Sequence, residues 1–238
     1  GRACMEYLEC SLAMLKKKEL DCLVTCPISK ESINKAGFRF SGHTEYLVKS
    51  TRCGHFLMLL LNDRLKMALV TRHIPLCRVS GSLHASEIRN AVSLAGEAMK
   101  KFFCIRRPRI VVCGLNPHAS DNGIIGEEEG RVIKPALSNL KKSFPNICGP
   151  LAADVAIARA ARREFDCVIV MYHDQALLPL KLTSGETGVN MTLGLPFVRT
   201  SPLHGTGFDI AGKGLADPSS LIAAIKLAIK CSINRKRA

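Results

Sequence analysis

Apolar positions recur along this chain with two different periods, and the period sets the element expected at each place. Met5, Leu8, Leu12 and Leu15 stand three or four apart and predict a helix over 2–18. Lys16, Lys17 and Lys18 suit the negative end of its dipole. The run Asp21–Thr25 predicts a short buried strand ended by Pro27, and Ser29-Lys30 opens a loop or short helix to Gly37. His55–Leu61 and Lys66–Val70, parted by Asn62-Asp63-Arg64, predict a hairpin or two neighbouring strands. Ile88, Val92, Ala95, Met99 and Phe102 mark a helix over 86–103. Arg109–Cys113 reads as a strand. Glu127–Glu129 reads as the acidic first turn of a helix that aligns Ile133, Leu137, Leu140 and Phe144. A helix over Ala152–Arg163 and a strand at Val168–Val170 follow, and Asp217-Pro218 opens a final helix.

Strands alternating with helices argue for a layered α/β fold with a mostly parallel sheet. No repeat, low-complexity segment or Pro/Gly/Ser-rich linker divides the 238 residues. A second domain would therefore form by the chain crossing over and returning.

Composition narrows the partners. The formal charge of +14 favours anionic metabolites. Nucleic-acid binding is disfavoured by three Tyr, no Trp and no recognition motif. No run of about 18 apolar residues is present to span a membrane. The opening GRACMEYLEC lacks the order of a signal peptide and an initiating Met, and it starts inside an expected helix, as a longer protein's C-terminal part would. Eleven cysteines without a C-x-x-C pair are expected to be reduced, in a cytoplasmic setting, with Cys22, Cys104, Cys113 and Cys167 packing as small hydrophobes.

The chemistry concentrates after the strands. Val168–Val170 leads into Tyr172, His173, Asp174 and Gln175, at the strand end where open α/β sheets bind ligands. His73 and His118 each follow a strand in the same way. One such histidine is more often structural, but three at equivalent strand ends could converge on a divalent metal with open positions. In Ser41-Gly42-His43-Thr44-Glu45, Thr44 is expected to cap a helix over 45–51 whose first amides suit a phosphate. The plainer alternative is an ordinary cap beside an exposed His. Lys181 and Arg199 add positive charge for an anionic substrate such as a phosphate ester. Gly207–Lys213 nearly spells a P-loop, but Gly214 replaces the hydroxyl that would hold Mg2+, and no G-x-G-x-x-G occurs.

Six stretches, GHTE at 42–45, TRHIPL at 71–76, GLNPHAS at 114–120, MYHDQ at 171–175, GVNMTLGLPFVRTS at 188–201 and HGTG at 204–207, together resemble the 4-hydroxythreonine-4-phosphate dehydrogenase family of vitamin B6 synthesis. HGTGFDIAGKGLADP is also similar to the cofactor loop of isocitrate and isopropylmalate dehydrogenases. The resemblance implies a layered α/β/α fold of that superfamily, with two domains and a cleft: 1–35 with 205–238 as the rest of the first, cofactor-side domain, and 36–204 as the second. It implies His73, His118 and His173 as metal ligands shared across a homodimer interface, for Zn, Mg or Co. It implies His43, Thr44, Asp154, Lys181, Asn190 and Arg199 at the substrate, and His204, Gly205 and Asp209 at NAD or NADP. The proton acceptor is left between Asp174, Lys181 and water on the metal. The implied reaction oxidises 4-phosphooxy-L-threonine and releases CO2, giving 3-amino-2-oxopropyl phosphate.

The sequence departs from the family in lacking its N-terminal portion, and in Cys26, where a small residue is usual. A paralogue acting on 4-phospho-threonate or 4-phospho-erythronate is the enzyme alternative. A truncated, inactive fragment is the non-enzyme one.

Overall fold

The computed structural model describes every residue except Ser41, Glu186 and Ala238, with Ser184 described by its backbone alone. Ser41, the first residue of the stretch before Gly42, and Ala238, the end of the basic tail, thus lie outside the described residues. The chain divides into two compact units, Gly1–Phe56 with Glu186–Arg237, and Leu57–Gly185.

The first unit opens with α1 (Arg2–Lys16), which buries Met5, Leu8, Leu12 and Leu15, the stripe its spacing predicts. β1 (Cys22–Val24) follows. α2 (Lys30–Lys35) is capped by Ser29, whose hydroxyl accepts from the Ser32 N–H at 3.1 Å. α3 (His43–Ser50) starts earlier than its sequence suggests. Gly42 is its N-cap and Thr44 lies inside the first turn, so Thr44 is not the cap.

The second unit begins with β2 (Leu57–Leu61) and β3 (Lys66–Leu69), an antiparallel hairpin in register Leu59↔Ala68. Asn62 shapes the turn: its Oδ1 accepts from the Arg64 and Leu65 N–H groups at 2.8 and 2.7 Å. A one-turn helix α4 (Val79–Ser82) precedes α5 (Ala85–Phe103), whose apolar face is buried as expected. Then come β4 (Ile110–Cys113), α6 (Lys134–Ser138), β5 (Ile147–Leu151), α7 (Ala153–Ala161), β6 (Cys167–Val170) and α8 (His173–Ser184). The strands run in the order β2-β3-β6-β4-β5. β3, β6, β4 and β5 are parallel, and β2 is the antiparallel member. Buried Leu, Val, Ile and Met residues of β2, β3, β4 and β6 form the centre of this unit's core, and α5, α7 and α8 pack on the strands.

The helix expected to open at Glu127–Glu129 forms, as one wide turn at Glu129–Ile133 that runs without a break into the five-residue α6, and Ile133, Leu137, Leu140 and Phe144 are buried as expected. Its first turn differs from the expectation: Glu129 turns inward, fully buried, instead of facing solvent. α8 has no forerunner in the sequence reading, because Pro179 inside it lacks the N–H a helix uses and reads as a breaker.

The chain then returns to the first unit as β7 (Val189–Leu193) and β8 (Val198–Pro202), an antiparallel hairpin. β8 lies parallel to β1, with Leu23 opposite Arg199. That pairing ties the segment after 185 to the N-terminal one. The expected boundaries at 35/36 and 204/205 therefore both fall inside the first unit, and the units part at 56/57 and 185/186. α9 (Ser219–Arg237) packs across β1, β8 and β7, and Asp217 accepts from the Ser219 N–H at 2.7 Å just before it.

The cysteines are all free. Cys113, Cys167 and Cys231 are buried, but Cys104 is exposed at the left-handed C-cap of α5, and Cys22 is half-buried. Burial pushes the Cys113 and Cys167 thiols up to about 12. Among the described residues no helix is long and apolar enough to cross a membrane.

Candidate functional site

The first unit holds a buried cation. Arg199 sits on β8, 3% exposed, and its partners are hydroxyls. It donates to Thr25 Oγ1 at 2.6 Å, Thr192 Oγ1 at 3.0 Å and Thr44 Oγ1 at 3.3 Å. The register explains the set. Thr192 is directly opposite Arg199 in the β7–β8 hairpin, and Thr25 continues β1 beside β8, its N–H donating to Thr200 O at 3.1 Å. Thr44 comes from the first turn of α3. Burial lowers the guanidinium to about 10, and Glu45 pulls the other way. It is thus charged at neutral pH, and among the described residues no carboxylate forms an ion pair with it.

Two polar atoms of this face have no partner. Arg199 Nε and Asn190 Oδ1 are both buried without a hydrogen bond. Asn190 lies opposite Ser201 in the hairpin, with Nδ2 3.4 Å from Ser201 Oγ. Residues 190, 192, 199 and 201 share one side of the hairpin, because strand side chains alternate. A vacant cationic donor and a vacant carbonyl on one face suit an anion that also carries a hydroxyl or ammonium group. His43 stands at the start of α3, where burial first, and then the charge of Arg199, lowers its imidazole to about 4. It is neutral at neutral pH and can donate one ring N–H to such an anion.

In the second unit, three parallel strands end on one edge, with Leu69 beside Val170 and Val112 beside Ile169. His73 follows β3, His173 opens α8 after β6, and His118 follows β4. The His73 and His173 rings lie 5.5 Å apart between centroids, tilted by 50°. A cavity of about 240 Å3 is lined by these two with Arg72, Tyr172 and Asp174. His173 Nδ1 is 2.7 Å from Asp174 Oδ1. A carboxylate only accepts, so this contact places a hydrogen on Nδ1, and the neutral tautomer that fits it is the one with Nε2 open to a metal.

His118 does not join them: among the described residues no three His, Cys, Asp or Glu side chains form a group that could hold a metal ion. The three expected ligands are therefore not gathered within one chain. His118 is exposed and opens a left-handed stretch, with φ of 54°, 52°, 70°, 43° and 57° from His118 to Asn122. This unusual backbone is held from behind. Buried Glu129 Oε1 accepts from the Leu115 and Asn116 N–H groups, both at 2.8 Å, and its Oε2 accepts from Asn116 Nδ2 at 2.9 Å. Gly114 allows the approach, since a Cβ there would lie 2.8 Å from Glu129 Oε1.

The remaining expected residues are exposed: Lys181 on α8 and Asp154 on α7 in the second unit, and His204, Gly205 and Asp209 in the first. Around the last three, a Cβ at Gly205, Gly212 or Gly214 would meet nothing within 4 Å.

Residues 1–228 match the family described as pyridoxal phosphate biosynthetic protein PdxA. The chain belongs to the PdxA family. A 4-hydroxythreonine-4-phosphate dehydrogenase of Sulfurihydrogenibium sp. (strain YO3AOP1) is 47% identical over 99% of this chain and 73% of its own length. A relative from Oceanobacillus iheyensis, provisionally named a D-threonate 4-phosphate dehydrogenase, is 40% identical over 97% of this chain and 69% of its own. Among solved structures, the 4-hydroxythreonine-4-phosphate dehydrogenase of Klebsiella pneumoniae has a TM-score of 0.86 and 35% identity, covering 94% of this chain and 69% of that one. The isocitrate dehydrogenase of Methylococcus capsulatus, 13% identical with a TM-score of 0.54 over 94% of this chain and 73% of that one, shares the fold. The expected family and superfamily fold are thus both met in this PdxA-family chain.

Sequence reasoning missed Thr25 and Thr192 around Arg199; it placed Gln175 at the strand end and Glu129 at a helix start without the supporting bonds they make there. A signal existed for one. Asn190 and Thr192 alternate with Val189, Met191 and Leu193 just before Gly194-Leu195-Pro196-Phe197, the pattern of a strand that enters a turn.

Proposed function

We propose that the chain oxidises 4-phosphooxy-L-threonine at its secondary alcohol with NAD or NADP, and that the product loses CO2 to give 3-amino-2-oxopropyl phosphate, a step of vitamin B6 synthesis. The observation that carries this reading is Arg199, a buried guanidinium with three hydroxyl partners and a vacant Nε. Leaving such a cation unpaired costs several kcal/mol, roughly, unless a ligand supplies the anion. A phosphate ester supplies it.

In this reading Arg199 and Thr44 bind the phosphate, neutral His43 donates to it, and Asn190 Oδ1 accepts from the substrate's ammonium or hydroxyl. Lys181 meets further negative charge on the substrate, and Asp154 its ammonium. His73 and His173 are a donor pair at a workable distance, and His118 of a second chain completes the set in a homodimer. Asp174 acts by holding His173 in the tautomer that leaves Nε2 free. His204, Gly205 and Asp209 lie on the loop proposed for the dinucleotide. A bound divalent ion (Zn, Mg or Co) would lower the pKa of the substrate alcohol and polarise the ketone that follows, while a bound nicotinamide would take the hydride.

The test is turnover of 4-phosphooxy-L-threonine with NAD+ and Co2+, following NADH and CO2 together. Equal yields of both are expected; a folded chain that releases neither refutes the proposal. The Oceanobacillus relative favours a second reading, in which the substrate is D-threonate 4-phosphate. The two substrates differ where one has an amine and the other a hydroxyl, and a comparison of kcat/KM on both decides between them.

A further inference from the structure

Gln175 follows His173 by two residues and uses both ends of its amide. It is 8% exposed, within α8. Its Oε1 accepts from the Met171 N–H at 2.7 Å, and its Nε2 donates to Gly114 O at 2.9 Å. Met171 is the residue just past β6, and Gly114 is the residue just past β4. The other face of Met171 is held by Thr71. Met171 O accepts the Thr71 hydroxyl at 2.6 Å and the Thr71 N–H at 3.1 Å. Thr71 is two residues before His73. A single buried chain of hydrogen bonds therefore runs from the end of β3, through the end of β6, to the end of β4. His73 and His173 stand at its first two members.

We propose that Gln175 is a positioning residue that sets the spacing of His73 and His173 by locking the ends of β3 and β6 to Gly114. The proposal rests on the reading of these histidines as metal ligands. Without the amide, the ends of β3 and β6 stay tied only to each other, through Thr71 and Met171, and lose their anchor on the end of β4; supports behind a ligand are worth about 10- to 100-fold in metal affinity. The amide supplies an acceptor and a donor at once. Glutamate at 175 would still accept from Met171 but would set its charge against the Gly114 carbonyl. Methionine keeps the volume and loses both bonds.

Titration of the full chain with Co2+ alone tests the proposal, read by calorimetry and by the cobalt d–d spectrum. The variants are Gln175→Met and, as a control, Asp166→Ala. Asp166 accepts from the Arg109 N–H and side chain at 2.8, 2.9 and 3.1 Å, at the opposite ends of the same strands β4 and β6. It removes several hydrogen bonds, on the exposed side of the sheet end, without touching the histidine edge. Gln175→Met is expected to bind Co2+ about 10-fold or more weakly, with an altered spectrum, while Asp166→Ala keeps the affinity and spectrum of the unsubstituted chain. Unchanged binding in Gln175→Met overturns the proposal, as does equal weakening in both variants, which would mean general destabilisation. An unsubstituted chain that binds no Co2+ instead overturns the histidine reading, and the proposal falls with it.

Discussion

Arg199 donates to the Thr25 hydroxyl at 2.6 Å, joining the guanidinium of β8 to the end of β1. The bond holds the cation's orientation without neutralising it. Arg199→Met should therefore separate binding from stability. KM for the phosphorylated substrate is expected to rise about 10- to 100-fold, since a charge-assisted contact is worth roughly 1.5–3 kcal/mol. The melting temperature should hold or rise, because a buried charge without a carboxylate is costly to desolvate. Steady-state kinetics beside calorimetric melting checks both, and an unchanged KM excludes Arg199 from the phosphate site.

His43 predicts a dependence on pH. Its imidazole is lowered to about 4 by burial and by Arg199, against 6.5 in the unfolded chain. Between these values the unfolded chain binds a proton that the folded chain does not. This contribution is therefore full above pH 6.5 and is lost as pH falls toward 4. Urea unfolding across that window should show a steeper loss in the unsubstituted chain than in His43→Gln, and parallel curves would contradict the neutral imidazole.

Asp174 is expected to act on metal affinity through His173. Asp174→Ala frees Nδ1 and should weaken Co2+ binding about 10- to 100-fold. Asp174→Asn keeps an acceptor and should fall between. Calorimetric titration of the three proteins gives the order, and equal affinities would remove the role.

His118 leads to a mixing experiment. Among the described residues it is not part of a metal-holding group with His73 and His173, so a completed site would take it from a second chain. His118→Ala and His173→Ala are each expected to be inactive. Refolded together at equal ratio, half of the dimers are mixed, and each mixed dimer carries one intact site. About one quarter of full activity should return. No recovery, with mixed dimers shown by mass spectrometry, places all three ligands in one chain.

Gly96 predicts a packing constraint inside α5. A Cβ there would run into the ring of Phe144, which is itself buried. Alanine gains about 1 kcal/mol of helix propensity, but overpacking costs about 1–3 kcal/mol. Gly96→Ala should thus be destabilising, and Phe144→Leu should recover part of the loss in the double variant. Urea midpoints measure the coupling; simple additivity would mean that the ring moves aside freely.

The sequence by itself determined the elements whose period is strong and the family whose motifs are ordered. α1 and α5 bury the stripes their spacing predicts, and the β2–β3 hairpin turns at Asn62. It also placed the three histidines after parallel strands. What it left out needed contacts between distant segments. Pairing of β8 with β1 decided the division into units and brought Thr25 to Arg199 across 174 positions of sequence. Glu129 reads as a solvated helix start, and only the fold turns it inward to satisfy backbone amides at 115 and 116. In α9 the period alone would favour Ile222, Ile225, Ile229 and Ile233 as the buried stripe, yet these are exposed. Ala224, Ala228 and Cys231 face the strands instead, since the Thr200 hydroxyl donates to Ala224 O at 2.9 Å and only small side chains let the helix backbone come that near. Periodicity reports which faces differ; which face lies against a neighbour is set by how closely the neighbour's backbone must approach.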